Sequence, residues 1–185
     1  MKKLLVIICL VASVFGFVFA ANPELIKADK DVFVTSFGQN ADSEFVKVLA
    51  KRIKLDIQYL SAGKPSDVDW TKTRTMICVL GGSGKGLGQA GLDTNSELAR
   101  CDSLLSEAKK ANATVIGLHL GGEDRLGPTS QAFLPYAKDV DYMIVKEEQG
   151  VVEYFKPVCE AAGVPLYVIK TTSELSGVLK DIFSL

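Results

Sequence analysis

Three stretches of this sequence combine glycine with polar side chains that could bind a small ligand. They cover residues 36–42, 81–91 and 119–128, and each follows a run of apolar or β-branched residues. Glycine lets the backbone approach a bound anion closely, and successive glycine N–H groups can form a concave anion-binding nest. We assign no catalytic residue. The residues predicted to contact a ligand are Ser36, Gln39, Asn40, Gly82, Ser83, Gly84, Lys85, His119, Gly122, Glu123 and Arg125.

The second stretch is the richest in glycine, and Lys85 adds a positive charge within it. We predict that a helix follows it, with Thr94 and Glu97 as a reciprocal N-terminal capping pair. The stretch is not a Walker phosphate loop, because Gly84-Lys85 is followed by Gly86 where that loop requires Ser or Thr. Two interpretations stay open: an anion-binding nest, or a flexible surface loop without a ligand.

The spacing of Gly86, Gly88 and Gly91 also matches the glycine fingerprint of dinucleotide-binding proteins. In those proteins the fingerprint follows a strand directly, whereas here it begins six residues after Leu80. No acidic residue is suitably placed about 20 residues further on to bind a ribose. We therefore predict no dinucleotide and no other cofactor.

His119 is the only histidine in the sequence, and it stands at the end of a predicted strand. It could be a hydrogen-bonded structural residue, a ligand contact, or a base oriented by Glu123 or Asp124. Arg125 is the stronger candidate for a ligand contact, because a guanidinium can bind a carboxylate through two parallel hydrogen bonds. One histidine beside two adjacent acids lacks the spacing of a metal centre, so no metal site is predicted.

Two other functions compete with ligand binding. The first is a hydrolase in which Ser36 or Ser83 is the nucleophile and His119 the base. Neither serine lies in a G-x-S-x-G elbow, and this mechanism requires a serine oxygen within about 3.2 Å of the imidazole, or one bridging water. The second is a protein-interaction module of the cell envelope, which a large exposed apolar patch would favour.

Strands and helices alternate along residues 31–185, and most strands are continuous apolar runs. Such runs are typical of parallel strands that are covered on both faces. We predict an α/β fold: a single three-layer domain with a mostly parallel sheet of five or six strands, flavodoxin-like or Rossmann-like. Because parallel strands end at the same edge, the three glycine-containing stretches should form one rim there.

Residues 1–20 read as a secretory signal peptide. Lys2 and Lys3 precede an apolar run that ends at Ala20, a small residue suited to cleavage. An uncleaved membrane anchor is the alternative, since the run is nearly long enough to span a bilayer. We predict an exported bacterial protein, periplasmic or extracellular, with a leader at residues 21–30 and no stable membrane span after cleavage.

Net charge and cysteine content indicate which partners and which cross-links to expect. The net charge is −1 and no basic stretch stands out, so no nucleic-acid partner is predicted. Beyond the signal segment Cys78, Cys101 and Cys159 are scattered and odd in number, which indicates buried thiols and not a disulfide framework.

Three motifs together carry a resemblance to a known family. They are TSFGQNAD at residues 35–42, GGSGKGLG at 81–88 with AGLD at 90–93, and HLGGEDR at 119–125. In this combination the sequence resembles a family of small exported bacterial proteins classed as a domain of unknown function. The resemblance implies export and a shared role for the three stretches, and it brings no established activity. The leading hypothesis is therefore a binding module for a small polar or anionic ligand.

Overall fold

The computed structural model describes residues 22–185, and the predicted signal peptide lies outside the described residues. None of the described helices is both long and apolar enough to cross a membrane.

Six parallel strands form one sheet in the order β2-β1-β3-β4-β5-β6. Every residue of the central strands β1 and β3 is buried, as expected for strands covered on both faces. This architecture confirms the predicted single α/β domain, and the order extends the flavodoxin-like arrangement by one strand. The strands are β1 (Val32–Phe37), β2 (Ile57–Tyr59), β3 (Thr75–Leu80), β4 (Thr114–His119), β5 (Tyr142–Lys146) and β6 (Leu166–Ile169).

Helices cover both faces of the sheet and bury one apolar core on each side. The helices are α1 (Asp42–Arg52), α2 (Gly84–Gln89), α3 (Thr94–Lys110), α4 (Pro128–Gln131), α5 (Val151–Ala162) and α6 (Glu174–Phe183), with 3-10 turns at Pro65–Asp67, Glu123–Leu126 and Leu134–Lys138. Helices α3 and α5 pack on one face, and α1 and α6 pack on the other.

The strand order reverses between β1 and β3, because the chain leaves β1 toward β2 and then crosses back to β3. At such a point the loops after two neighbouring strands diverge, and a crevice can form between them. Since β1, β3 and β4 are parallel neighbours, the stretches that follow them lie at the same edge of the sheet. We call these three stretches, residues 36–42, 81–91 and 119–128, the rim.

Two local predictions around the second stretch were wrong. Residues 84–89 form the short helix α2, so the glycine-rich stretch is not one continuous loop. Helix α3 is capped by Asp93, whose side chain accepts a hydrogen bond from the Ser96 N–H, and not by Thr94. Asp caps a helix as well as Thr does, and this leaves Glu97 free to point into the protein interior, where it is fully buried.

The leader lies against the domain although its described residues, 22–30, form no helix or strand. Leu25 and Ile26 pack on the core beneath α6, and the Ala28 N–H donates to the Ile182 carbonyl. The Asn22 side chain donates to the Val168 carbonyl and accepts from the Val168 N–H, both at 2.9 Å. The leader therefore reaches the outer edge of β6.

Candidate functional site

The first stretch of the rim is occupied by its own hydrogen bonds. The Asn40 side chain donates to the Val79 carbonyl at 3.0 Å and to the Gly81 carbonyl at 2.9 Å, and its oxygen accepts from the Asp42 N–H. The Ser36 hydroxyl accepts from the Asn40 N–H at 3.0 Å. Both polar side chains are buried, so they join the loop after β1 to the end of β3.

The second stretch uses its glycines for packing between loops. A Cβ on Gly82 would lie 2.3 Å from the Thr129 carbonyl oxygen, and one on Gly86 would lie 2.0 Å from the Gln39 carbonyl oxygen. Neither position can therefore carry a side chain without moving backbone.

Most amides of this stretch that an anion nest would need are already paired. The Gly82 N–H donates to the Ser130 hydroxyl, the Ser83 N–H to the Gly38 carbonyl, and the Gly86 N–H to the Ser83 hydroxyl. Gly84 and Lys85 lie exposed at the start of α2. The stretch forms a packed junction, and it does not present a row of free N–H groups.

A buried ion pair that the sequence did not reveal supports this junction. The Glu97 carboxylate accepts from Arg100 through both oxygens, at 2.7 and 2.8 Å, and both residues are buried. One oxygen also accepts from the Gly38 N–H at 2.8 Å and from the Gln39 amide at 3.0 Å. Arg100 further donates to the Gly63 carbonyl at 2.8 Å, so the pair holds three chain segments.

One signal in the sequence could have identified this pair. Glu97 and Arg100 are three residues apart on a helix, on the same face as Cys101 and Leu104. Opposite charges on an apolar helix face are expensive to bury unless they pair with each other.

The third stretch presents a different kind of group. The His119 side chain is 1% exposed, and its Nδ1 lies 2.9 Å from the Leu80 carbonyl oxygen. A carbonyl can only accept, so Nδ1 carries the proton and Nε2 presents a lone pair. Among residues 22–185, Nε2 is the one buried side-chain nitrogen or oxygen without a hydrogen-bond partner.

The surroundings of His119 keep the imidazole neutral. Burial lowers the pKa of His119 below its usual value, and the positive charges of Arg125 and Lys146 lower the pKa further, whereas the Leu80 carbonyl and Asp42 raise it. The ring also packs against Phe155, with a centroid separation of 5.0 Å.

Gly121 and Arg125 cover the unpaired nitrogen. A Cβ on Gly121 would lie 2.4 Å from Arg125 Cγ and 3.5 Å from His119 Nε2, so both side chains flank this one backbone position. The half-buried Arg125 side chain forms no hydrogen bond or ion pair with any residue that the structure describes, whereas Lys146 pairs with Glu148 at 2.7 Å. His119 and Arg125 therefore lie beside the same backbone position, each with hydrogen-bonding capacity that no described residue uses.

Fewer backbone N–H groups are hydrogen-bonded beside His119 than in the second stretch. Neither Gly121 nor Gly122 donates a backbone hydrogen bond within the described part of the chain. Gly122 faces Asp124 and Glu148, and the predicted contact Glu123 is exposed to solvent on the covering turn. Of the predicted set, His119, Gly122 and Arg125 thus retain groups that could bind a ligand. The Asn40 side chain and the Gly82 N–H are already paired, and Ser36 is fully buried.

The serine–histidine pair that a hydrolase requires is not formed. The hydroxyl groups of Ser36 and Ser83 accept from backbone N–H groups, and neither makes a hydrogen bond with His119. The two exposed apolar side chains of α1, Phe45 and Val48, are 39% and 58% exposed and lie one turn apart. They form a small patch on the opposite face of the sheet from Phe155.

Two open clefts lie at the opposite edge of the sheet, where the strands begin. One of about 600 Å³ is lined by residues that include Lys30, Asp56 and Asp69, and one of about 350 Å³ lies beside Lys138 and Asp141. Neither includes a rim residue.

Thiol and metal chemistry find little support in the described residues. The three described cysteines are free and buried, and burial raises the pKa of Cys78 to about 12 and that of Cys159 to about 11. No group of three or more His, Cys, Asp or Glu side chains within residues 22–185 is arranged to hold a metal ion.

Comparison with known proteins places the chain in a family and leaves its activity open. No curated protein matches the sequence. Among solved structures, the psychrotrophic esterase EstA from Pseudoalteromonas sp., in a form inhibited by monoethylphosphonate, is similar over 74% of this chain and 76% of its own, at 13% identity and a TM-score of 0.32. This likeness is too low to inform function. Residues 29–183 match the family described as Domain of unknown function (DUF6305), and the chain therefore belongs to that family.

Proposed function

We propose that this protein is a binding module for a small anionic ligand, held at the rim between His119 and Arg125. The single observation that carries the proposal is the buried, unpartnered Nε2 of His119. Leaving a buried polar atom without a hydrogen bond costs about 1–3 kcal/mol. A ligand that pairs with Nε2 would remove this cost in the bound state.

Arg125 supplies the charge complement. Its guanidinium makes no contact with a described carboxylate, although Glu123 and Asp124 precede it directly in the chain. A planar guanidinium presents its N–H groups as a fork that matches an oxyanion. The N–H groups of Gly121 and Gly122, which donate to no described residue, belong to the same stretch and would add backbone donors.

Access to Nε2 requires the turn Glu123–Leu126 to lift. This turn is flanked by Gly121 and Gly122 on one side and by Gly127 on the other, so its ends can change backbone angles at low cost. The turn is held by the Gln131 side chain, which donates to the Leu126 carbonyl at 2.7 Å, and by the Leu126 side chain, which packs on the core. Loops that close over a ligand commonly move in this way.

The proposal places this binding module outside the cytoplasm. The basic and apolar pattern of residues 1–20 supports export, with the leader beginning after Ala20. Mass spectrometry of the protein recovered from its native cell would test this point. A mature chain that begins at Ala21 is expected, and a chain that retains Met1 would contradict cleavage.

The single histidine allows a direct test of binding. We expect a panel of small anions, comprising phosphate, sulfate, acetate and citrate, to contain at least one member that shifts the His119 ring resonances in NMR spectra of the protein without a histidine tag. Arg125→Gln should weaken that binding about tenfold or more, because a charge-assisted hydrogen bond is lost. Arg74→Gln is the matched control, since Arg74 is exposed at the opposite edge of the sheet. A panel in which no anion shifts these resonances would overturn the proposal.

A further inference from the structure

We infer that the ligand group at His119 is an oxyanion that still carries a proton, a phosphoryl group, and that the site rejects sulfate. This inference rests on the proposed function and specifies the chemistry of its ligand. Its basis is the tautomer that the Leu80 carbonyl imposes on the ring, together with the unpaired cation beside it.

The imidazole can accept from a ligand and cannot donate to it. Nδ1–H is used by the Leu80 carbonyl, so the neutral ring offers only the Nε2 lone pair at the rim. A fully ionised oxyanion would face this lone pair with lone pairs of its own. The ligand atom that contacts Nε2 must therefore be an O–H or N–H donor.

The charges around the ring require the same ligand to be negative. Arg125 and Lys146 are the cations that act on His119, and Asp42 is the acid that opposes them. The carboxylates of Asp124 and Glu148 also lie near Gly122, so the ligand must be held by Arg125 against these two acids. Lys146 is already paired with Glu148, which leaves Arg125 as the cation free to bind an anionic oxygen. The ligand group thus combines a negative charge for Arg125 with a hydrogen-bond donor for His119.

A phosphoryl group meets both requirements within one small tetrahedron. Inorganic phosphate retains at least one proton throughout the neutral range. A phosphate monoester, whose last pKa is about 6, meets both requirements only in its monoanionic form. A simple carboxylate is ionised at neutral pH because its pKa is about 4, and sulfate carries no proton there. Sulfate has nearly the shape of phosphate and at least as much negative charge at neutral pH, so a preference for phosphate indicates recognition of the proton that sulfate lacks.

Discrimination of this kind follows from pairing buried groups. A site that hydrogen-bonds one ligand strongly rejects an analogue that lacks the matching group, because the buried partner is then left unpaired. At His119 that partner is Nε2. His119 is only 1% exposed, so water cannot replace the missing hydrogen bond.

The test measures the affinity of the protein for inorganic phosphate, glycerol 3-phosphate and sulfate at pH 7 and constant ionic strength. Isothermal titration gives the affinities, and the His119 ring resonances show whether the contact is at Nε2. We expect at least one phosphoryl compound to bind about tenfold or more tightly than sulfate, in line with one charge-assisted hydrogen bond. A second titration with glycerol 3-phosphate at about pH 6, where about half of the monoester retains its last proton, distinguishes free phosphate from a monoester as the source.

His119→Asn is the informative variant. The asparagine amide can still donate to the Leu80 carbonyl, while the acceptor at Nε2 is removed. We expect this variant to fold and to bind phosphate no better than sulfate. Arg125→Gln should instead weaken both anions by a similar factor, because it removes charge and leaves the acceptor in place.

Each result decides the inference. Phosphate preference that disappears in His119→Asn supports it. Equal binding of phosphate and sulfate, or a preference that His119→Asn retains, overturns the inference while leaving an anion-binding protein. Binding of acetate or citrate without either phosphoryl compound overturns it in the same way. Absence of binding by every anion overturns the inference and the proposed function together.

Discussion

The two glycine-rich stretches of the rim use glycine for different purposes. In the second stretch, residues 81–91, Gly82 and Gly86 allow backbone segments to touch, and their N–H groups are paired within the protein. In the third stretch, residues 119–128, the N–H groups of Gly121 and Gly122 and the Nε2 lone pair of His119 have no partner among residues 22–185. The stretch with more glycine therefore serves to pack the loops together.

This difference teaches that glycine content alone does not indicate a ligand site. A missing Cβ permits close approach of any atom, and in a small domain that atom is most often another backbone segment. The distinguishing feature is whether the polar groups exposed by that approach already have partners. Variants can break or sharpen this distinction.

The largest expected effect comes from the support of the second stretch. Glu97→Gln would leave the Arg100 charge buried without a counter-ion, and breaking a buried pair costs about 3–5 kcal/mol. Urea denaturation should show this loss of unfolding free energy. Glu44→Gln is the matched control, because the Glu44–Lys47 pair is exposed and should contribute about 1 kcal/mol or less. Similar losses in both variants would contradict a supporting role for Glu97.

A smaller effect should come from the junction itself. Gly86→Ala would force a Cβ against the Gln39 carbonyl, and overpacking of this kind costs about 1–3 kcal/mol. Gly88→Ala, in the same helix, meets no atom within 4 Å and should stabilise the protein by about 0.5–1 kcal/mol, as Ala favours a helix over Gly. If Gly86→Ala is as well tolerated as Gly88→Ala, the stretch is not a packed junction.

The third stretch should make the unfolding free energy depend on pH through His119. Because burial lowers the pKa of His119 in the folded protein, the unfolded chain binds more protons below about pH 6.5. Unfolding free energy should therefore fall as the pH drops below that value, by at most about 1.4 kcal/mol per pH unit for one proton. His119→Asn should lose this contribution. The unfolding free energy of the wild type minus that of the variant should therefore decrease from pH 8 to pH 5. An increase of this difference toward pH 5 would contradict a buried neutral ring.

The smallest effect is expected at Lys85. Its side chain is exposed on the glycine-rich second stretch and makes no ion pair with the described residues, so Lys85→Ala should change the unfolding free energy by about 0.5 kcal/mol or less. The variant should also leave the His119 ring resonances in place. A clear shift of those resonances would place Lys85 near the imidazole and weaken the separation between the two stretches.

The layout of the fold could be predicted because it depends on local patterns. Apolar strands alternating with helices indicate a parallel sheet, and a parallel sheet brings the ends of β1, β3 and β4 to one edge. His119 is the last residue of β4 and Arg125 follows six residues later, so their proximity reflects their nearness in the chain and needs no information on the sheet.

The pairing of polar groups could not be predicted, because it depends on contacts between distant residues. The Glu97 carboxylate meets Gly38, which lies 59 residues earlier, and the Gly82 N–H meets Ser130, which lies 48 residues later. Hydrophobic periodicity carries no information about such partners. The same limitation hid the unpaired Nε2 of His119, since a histidine at a strand end has the same pattern whether or not its ring is satisfied.

The attachment of Asn22 has a consequence for the outer side of the sheet. Exposed strand edges readily recruit another extended chain, and β6 is such an edge. One asparagine side chain occupies both the N–H and the carbonyl of Val168, so these two groups of the edge strand are not available to another chain. Removal of the first few described residues of the leader, Asn22 included, would expose the Val168 N–H and carbonyl to pairing with another extended chain.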